Sequence, residues 1–189
     1  MTSSERLPGH TVEIILGSRT DDDQIFADAK ITETLDACGI SWGISYISAH
    51  RNAKALREFV ATTVMDGTKI FIAAASMAAH LPGSIAAACL GVNRHCPVIG
   101  VALETNPPFL GGLDALFAET RMPPGVPICA AGIGAAGLRN AAIIAAQMLA
   151  IKDLEIRRRL EIYMQQNTKS PQVHVRCSSP ATVPATGAK

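Results

Sequence analysis

Polar side chains that could do chemistry cluster in four short segments of the chain: GSRTDDD at 17–23, SAHR at 48–51, SMAAHLPG at 76–83 and GIGAAG at 132–137. SAHR joins a hydroxyl, an imidazole and a guanidinium within four residues. An imidazole moves protons near neutral pH, and a guanidinium is a fork-shaped ligand for phosphate. SAHR therefore indicates acid–base chemistry on a phosphorylated substrate, although a histidine and an arginine that only cap a strand would look the same.

GSRTDDD combines a glycine turn and two hydroxyls with the start of a predicted helix. The unpaired N–H groups of a helix start favour an anion, so this loop could hold a phosphate. An ordinary helix start, with Thr20 or Asp21 as the N-cap, is the alternative. Of the three acids, only Asp21 is expected to face a ligand, where its carboxylate would suit ribose hydroxyls.

SMAAHLPG supplies a second imidazole, His80, followed by Pro82 and Gly83 at the start of a predicted helix. Pro82 would fix the direction of the chain, and Gly83 would let the backbone approach a ligand closely. A structural histidine in a loop is the alternative for His80.

GIGAAG matches the dinucleotide-binding pattern G-x-G-x-x-G. That pattern needs a further strand with a ribose-binding acid about 20 residues later. Here Asp153 instead begins a predicted helix, so we do not expect a dinucleotide site.

Composition limits the classes of protein. The chain has 189 residues, of which 48% are hydrophobic, which fits one domain with a sizeable core. Its net charge of +1, without a long basic run, does not favour nucleic acid or a membrane surface as a partner. It has no apolar stretch of about 20 residues and no signal sequence, so we expect a cytoplasmic protein. The five scattered cysteines indicate free, buried thiols rather than disulfides or a zinc site.

Apolar runs alternate with stretches of helical periodicity along the chain. Strands are predicted at 12–16, 41–47, 69–75, 97–102 and 126–130, and helices at 21–38, 53–65, 82–89, 141–150 and 153–166, with short helices in the gaps. This alternation predicts an α/β fold with a mostly parallel sheet and helices on both faces. The polar segments that follow the strands should then meet at the carboxyl edge of the sheet. We expect one catalytic domain over 1–167 and a flexible tail over 168–189.

Five segments in one order, GS-x-[ST]-D, SAHR, AAHLPG, MPxGxP at 122–127 and NAAxxAAQ, resemble the N5-carboxyaminoimidazole ribonucleotide mutases, the catalytic subunit of phosphoribosylaminoimidazole carboxylase. The resemblance spans 12–166. It implies a flavodoxin-like three-layer sandwich, usually assembled as an octamer, with no metal and no organic cofactor. It also implies an isomerase of de novo purine biosynthesis that moves a carboxyl group from N5 to C4.

The resemblance also implies roles for individual residues. His50 matches the acid–base histidine, and His80 is the second catalytic candidate. The implied mechanism is decarboxylation of the ribonucleotide, enclosure of carbon dioxide as a bound intermediate, attack by C4, and loss of the C4 proton to His50. The implied substrate-binding residues are Gly17, Ser18, Thr20, Asp21, Ser48, Ala49, Arg51, Ser76, Met77, Ala78, Ala79, Leu81, Pro82 and Gly83.

Several positions depart from the family pattern. Ser76 and Met77 stand where the family has two glycines, Thr20 where mutases usually have serine, and Ala135 where they commonly have lysine. Arg121 resembles the branch that carboxylates the nucleotide directly. A carboxylase or decarboxylase acting on aminoimidazole ribonucleotide or a related nucleotide is therefore the alternative activity. A nucleotide-binding module without catalysis, which would not need His50, is a third hypothesis.

Overall fold

Five parallel strands form one sheet at the centre of the fold, in the order β2-β1-β3-β4-β5. The computed structural model describes residues 9–19, 30–105 and 109–167. Every residue of β1, β3 and β4 is buried, as apolar strands covered on both faces require. The strands are β1 (Val12–Leu16), β2 (Trp42–Tyr46), β3 (Ile70–Ala75), β4 (Val98–Ala102) and β5 (Cys129–Ile133).

Helices cover both faces of the sheet and divide the core into two clusters. The helices are α1 (Lys30–Ala37), α2 (Ala53–Met65), α3 (His80–Gly91), α4 (Leu113–Thr120), α5 (Gly134–Ala150) and α6 (Leu154–Asn167), with a 3₁₀ turn at Leu110–Gly112. The core on one face is built with α1, α5 and α6, and the core on the other with α2, α3 and α4. The predicted three-layer α/β sandwich is confirmed, and its strand order is that of the flavodoxin-like folds.

Small residues bring α5 close to the sheet. Ala141 and Ala145 have no exposed surface. A Cβ atom on Gly137 would lie 2.6 Å from the carbonyl carbon of Gly132, so the approach of α5 to β5 requires glycine. In the described residues no strand follows β5. Gly132 and Gly137 of GIGAAG thus let the helix pack closely against the strand.

Three predicted elements begin two or more residues away from their observed starts. β5 begins three residues later than the predicted 126–130, because Pro127 lacks the N–H that a strand ladder needs. Helix α3 begins at His80 rather than at residue 82, since proline is tolerated in the first turn of a helix. Helix α5 begins at Gly134 rather than at residue 141.

Other predictions are confirmed, or fall outside the described part of the chain. The bounds predicted for β1 and α2 match those of the structure. Residues 21–29 of the first predicted helix and residues 168–189 of the predicted tail lie outside the described residues. The cysteines within the described ranges are free as predicted, with Cys38 and Cys89 buried but Cys96 and Cys129 only half-buried. In the described ranges no helix is both long and apolar enough for a membrane span.

One carboxylate is buried without a partner in the core. Glu119, near the end of α4, is 1% exposed, and its Oε2 atom lies over Gly100 of β4, where a Cβ atom would be 2.8 Å away. Neither carboxylate oxygen has a hydrogen-bond partner among the described residues. This burial raises the pKa of Glu119 to about 8. The folded protein therefore favours the protonated, neutral form of Glu119 at neutral pH.

The pH dependence of stability should reveal this acid. The pKa of Glu119 is raised in the fold from its ordinary value of 4.5, so its contribution to stability is fully present below about pH 4.5 and is lost as the pH rises towards 8. We expect Glu119→Leu to increase the free energy of unfolding by about 2–4 kcal/mol at pH 8, and by less at pH 5. Urea denaturation at a series of pH values measures the difference.

Glu119→Gln is the matched control, because it keeps the shape and the polarity of the side chain but cannot ionise. Its stability relative to Glu119→Leu should not change with pH between 5 and 8. A Glu119→Leu protein less stable than the wild type at pH 8 would contradict the assignment of Glu119 as an uncompensated buried acid.

Candidate active site

The polar segments that follow β1, β2 and β3 line one cleft of about 460 Å³ at the carboxyl edge of the sheet. Leu16, the last residue of β1, pairs with Tyr46 of β2 and Ala74 of β3, so the three segments leave the sheet side by side. The helix after β1 packs on one face of the sheet and the helix after β3 on the other. This divergence opens a crevice between the ends of β1 and β3. The cleft is lined by Gly17, Ser18, Ser48, Ala49, His50, Arg51, Ala75, Ser76, Met77, Ala79, His80 and Leu81.

Two histidines contact each other in this cleft. The Nε2 atom of His50 lies 2.7 Å from the Nδ1 atom of His80, and the rings meet edge to face with their centroids 4.9 Å apart. At this distance one nitrogen donates a proton and the other accepts it, so at least one of the two nitrogens is unprotonated. The pair can therefore share a proton or pass it from one ring to the other.

Ser48 shapes the turn that presents His50 and Arg51. Its hydroxyl oxygen accepts a hydrogen bond from the backbone N–H of Arg51 at 3.2 Å, and its carbonyl oxygen accepts one from the N–H of Asn52 at 2.9 Å. Serine often organises a turn in this way. The turn ends the β2 segment and leaves the side chains of His50 and Arg51 exposed at the cleft.

The segment after β3 has an unusual backbone. Met77 has a φ of 59° and Ala79 a φ of 43°, in the left-handed region that glycine occupies freely and other residues rarely adopt. Each such residue costs about 1 kcal/mol. The Met77 side chain is 66% exposed at the cleft. A bulky side chain thus lines the site at a position where the backbone conformation favours glycine.

The charges at the cleft favour an anionic ligand. Its described lining contains His50, Arg51 and His80 as ionisable side chains, and no carboxylate. Helix α3 begins at the cleft, and Ala79 before it makes no side-chain cap hydrogen bond, so the partial positive charge of the helix end adds to the field. Arg19, whose guanidinium lies 5.5 Å from the centroid of the Tyr46 ring, follows the β1 segment.

Most of the predicted site residues come together, but not all. Ala78 is exposed outside the cleft lining, Pro82 is buried in the first turn of α3, and a Cβ atom on Gly83 would lie 2.9 Å from the Cε atom of Met122. Their roles in binding stay predictions, as do those of Thr20 and Asp21, which lie outside the described residues.

Sequence reasoning missed two features of the site. Ala75 lines the cleft, and its place at the carboxyl end of β3 was the signal that could have identified it. The direct contact between His50 and His80 was also missed, because it joins residues 30 positions apart. Across the described ranges, no three His, Cys, Asp or Glu side chains come together as metal ligands would.

Comparisons with known proteins agree on one family. A family model described as AIR carboxylase matches residues 11–170. The chain is 35% identical over 157 residues to N5-carboxyaminoimidazole ribonucleotide mutase from Haemophilus influenzae, covering 83% of this chain and 90% of that one. It is 38% identical over 154 residues to the protein of the same name from Pyrococcus abyssi, covering 82% of each.

The fold also matches a solved structure. The crystal structure of Treponema denticola PurE superposes with a TM-score of 0.69 at 25% sequence identity, covering 82% of this chain and 90% of that one. The family model covers most of the sequence, and the relatives align over nearly their whole length. The chain therefore belongs to the AIR carboxylase family.

Proposed function

We propose that this chain is an N5-carboxyaminoimidazole ribonucleotide mutase of purine biosynthesis, an isomerase that moves the carboxyl group of its substrate from N5 to C4. The names of its relatives and the family model support this proposal. The observation that carries it is the 2.7 Å contact between His50 and His80, next to Arg51 in a cleft without a described carboxylate. The reaction needs a group that carries a proton, close to a residue that binds the phosphate of the substrate.

The substrate would bind across the three segments of the cleft. The phosphate would meet Arg51 and the hydroxyl of Ser18, near the start of α3, where cationic and N–H groups converge. The imidazole ring would then lie against the segment after β3, where Met77 and Leu81 supply apolar contacts. Ala75 and Ala79 leave room for the ring close to the sheet. The ribose would span the space between these two groups.

The histidine pair would manage the proton at C4. Loss of the N5-carboxylate needs one proton at N5, which protonated His50 would donate, and gives aminoimidazole ribonucleotide and carbon dioxide, which the cleft would retain until C4 attacks it. The new C4 adduct must lose its proton, and His50 would accept that proton. His80 would orient the His50 ring through their hydrogen bond, which fixes the ring nitrogen that faces the substrate.

Replacement of Arg51, the residue proposed to bind the phosphate, should weaken substrate binding. We expect Arg51→Ala to weaken nucleotide binding by about 2 kcal/mol or more, because a charge-assisted contact to phosphate is among the stronger polar interactions. Titration of the monophosphate and of its nucleoside measures the effect. Arg57→Ala is the control, since Arg57 is exposed on α2 and does not line the cleft. An equal loss for both ligands would show that Arg51 does not bind the phosphate.

Replacement of each histidine should separate their roles. His50→Asn should abolish turnover, a loss of about 10⁴-fold or more, and leave nucleotide affinity within about tenfold. His80→Asn should slow the reaction without stopping it. His50 would still accept the proton from C4, but His80 would no longer orient its ring. The exposed His95, which does not line the cleft, provides the control variant His95→Asn.

Isotope exchange adds a second readout of these roles. The wild type should wash deuterium from C4-labelled substrate only together with carboxyl transfer, and His50→Asn should do neither. Near-normal turnover in His50→Asn with loss in His80→Asn would reverse the two assignments. Activity in both variants would eliminate the proposed acid–base mechanism.

A carboxylase or decarboxylase acting on the same nucleotide is the second candidate, favoured by the Met77 side chain in the cleft. Product analysis distinguishes the two candidates. The mutase should convert N5-carboxyaminoimidazole ribonucleotide and leave aminoimidazole ribonucleotide with bicarbonate unchanged. Conversion of only the second mixture would establish the carboxylase instead.

We further propose that the protein is a cytoplasmic homo-oligomer, an octamer by its resemblance. Exposed apolar side chains in and just before the 3₁₀ turn and on α4 support association: Phe109, Leu110, Leu113 and Phe117, of which Phe117 is 62% exposed. Such a patch is characteristic of an interface. Light scattering should give a mass several times the 19.8 kDa of one chain, and a monomer at micromolar concentration would contradict the proposal.

A further inference from the structure

Met77 is the one large apolar side chain that stays exposed among the described residues of the active-site cleft. Its side chain is 66% exposed, whereas Leu81, the other large apolar residue of the lining, is 2% exposed. The remaining lining side chains are small or polar. An exposed apolar side chain gains from being covered, because contact with a ligand removes its surface from water. A ligand in the cleft is therefore a natural partner for the surface of Met77.

The backbone fixes the base of the Met77 side chain, whereas rotation about its own bonds can move its end. The carbonyl oxygen of Ser76 accepts a hydrogen bond from the N–H of Ala79 at 3.1 Å, which closes a turn with Met77 inside it. Just before this turn, the carbonyl oxygen of Ala75 accepts one from the N–H of Leu103 at 2.9 Å. A methionine side chain is unbranched and has three rotatable bonds, so it adapts to irregular shapes. Met77 thus combines an anchored base with a movable apolar end.

The proposed reaction makes a particular demand on this cleft. Carbon dioxide leaves N5 and must stay beside the ring until C4 attacks it. It carries no charge, so it gains little from Arg51 and the two histidines, which suit an anion. Closing a site against water is the general way in which an enzyme keeps a reactive intermediate from being lost. An apolar cover over the ring would therefore decide whether carbon dioxide is transferred or escapes.

We propose that the Met77 side chain folds over the bound aminoimidazole ring and keeps carbon dioxide in the cleft, an inference that rests on the proposed function. Under this cover C4 captures the carbon dioxide. Without the cover carbon dioxide escapes, and the substrate with one proton ends as aminoimidazole ribonucleotide and free carbon dioxide. Met77 is then a positioning residue. It moves no proton, but it determines the partition between transfer and loss of the carboxyl group.

This partition can be measured with isotope-labelled bicarbonate and carbonic anhydrase in the buffer. The wild type should convert N5-carboxyaminoimidazole ribonucleotide to product with an unlabelled carboxyl group and release little aminoimidazole ribonucleotide, relative to a sample without enzyme. We expect Met77→Ala to release roughly tenfold more aminoimidazole ribonucleotide per product formed and to put label into the product, because an open cleft exchanges carbon dioxide with solvent. Met77→Leu, which restores the apolar bulk, should return both values towards those of the wild type.

A second substitution separates the side chain from the backbone. Met77→Gly removes both the side chain and the strain of the left-handed backbone, whereas Met77→Ala removes the side chain and keeps the strain. Both variants should lose carbon dioxide to a similar extent. Loss in Met77→Gly alone would show that the stiffness of the backbone, and not the cover, retains carbon dioxide. That result would overturn the proposal.

Methionine oxidation reads the cover in the wild type, without turnover and without a variant that must fold. Met65, the last residue of α2, is 67% exposed and does not line the cleft, so it is a matched control for Met77. Saturating aminoimidazole ribonucleotide should slow oxidation of Met77 by hydrogen peroxide about fivefold or more and leave Met65 unchanged. Trypsin places the two in separate peptides, 58–69 and 70–94, and neither contains another methionine. Equal oxidation of Met77 with and without bound nucleotide would contradict the cover.

The outcomes distinguish this inference from the proposed function. A wild type that does not transfer the carboxyl group of N5-carboxyaminoimidazole ribonucleotide would end both. A wild type that transfers it, with Met77→Ala and Met77→Gly proteins that transfer it without additional loss of carbon dioxide, would leave the proposed function intact and overturn the role of Met77.

Discussion

The parallel pairing of β1 with both β2 and β3 is the constraint on which the site depends. Because Leu16 is opposite Tyr46 and Ala74 at once, the segments that follow the three strands begin at the same height above the sheet. A slip of one residue in either pairing would turn the alternating side chains to the opposite face. A slip of β1 against β2 would turn the buried Glu13 carboxylate to the opposite face and break the 2.6 Å hydrogen bond that it accepts from the Ser45 hydroxyl, which opposes the slip. The core therefore determines where His50 and His80 meet.

Helix α3 joins the cleft to the core. Its first residue, His80, belongs to a cleft with cationic side chains, and its last turn carries the buried thiol of Cys89. Its middle is apolar and buried, with Ile85 completely enclosed. Both ends of the helix are therefore held by the same core.

Sequence reasoning succeeded where local patterns determine the structure. The apolar run of β1 and the turn residues around α2 gave correct bounds, and the polar segments expected to meet at the carboxyl edge of the sheet do line one cleft. It failed for β5, where alanine and glycine form the strand instead of β-branched residues. Glu119 resembled an ordinary surface acid of a helix, because its burial depends on Gly100 in a distant strand. The contact between His50 and His80 likewise depends on tertiary structure alone.

The left-handed backbone at Met77 and Ala79 has a consequence for the evolution of this enzyme. Glycine at either position would relieve strain, so selection for stability alone would favour glycine there. Met77 nevertheless carries a side chain at this strained position, and it lies in the cleft. In the segment after β3, a residue whose backbone conformation favours glycine therefore also lines the cleft. Changes of substrate preference within this fold can arise there without any change to the sheet.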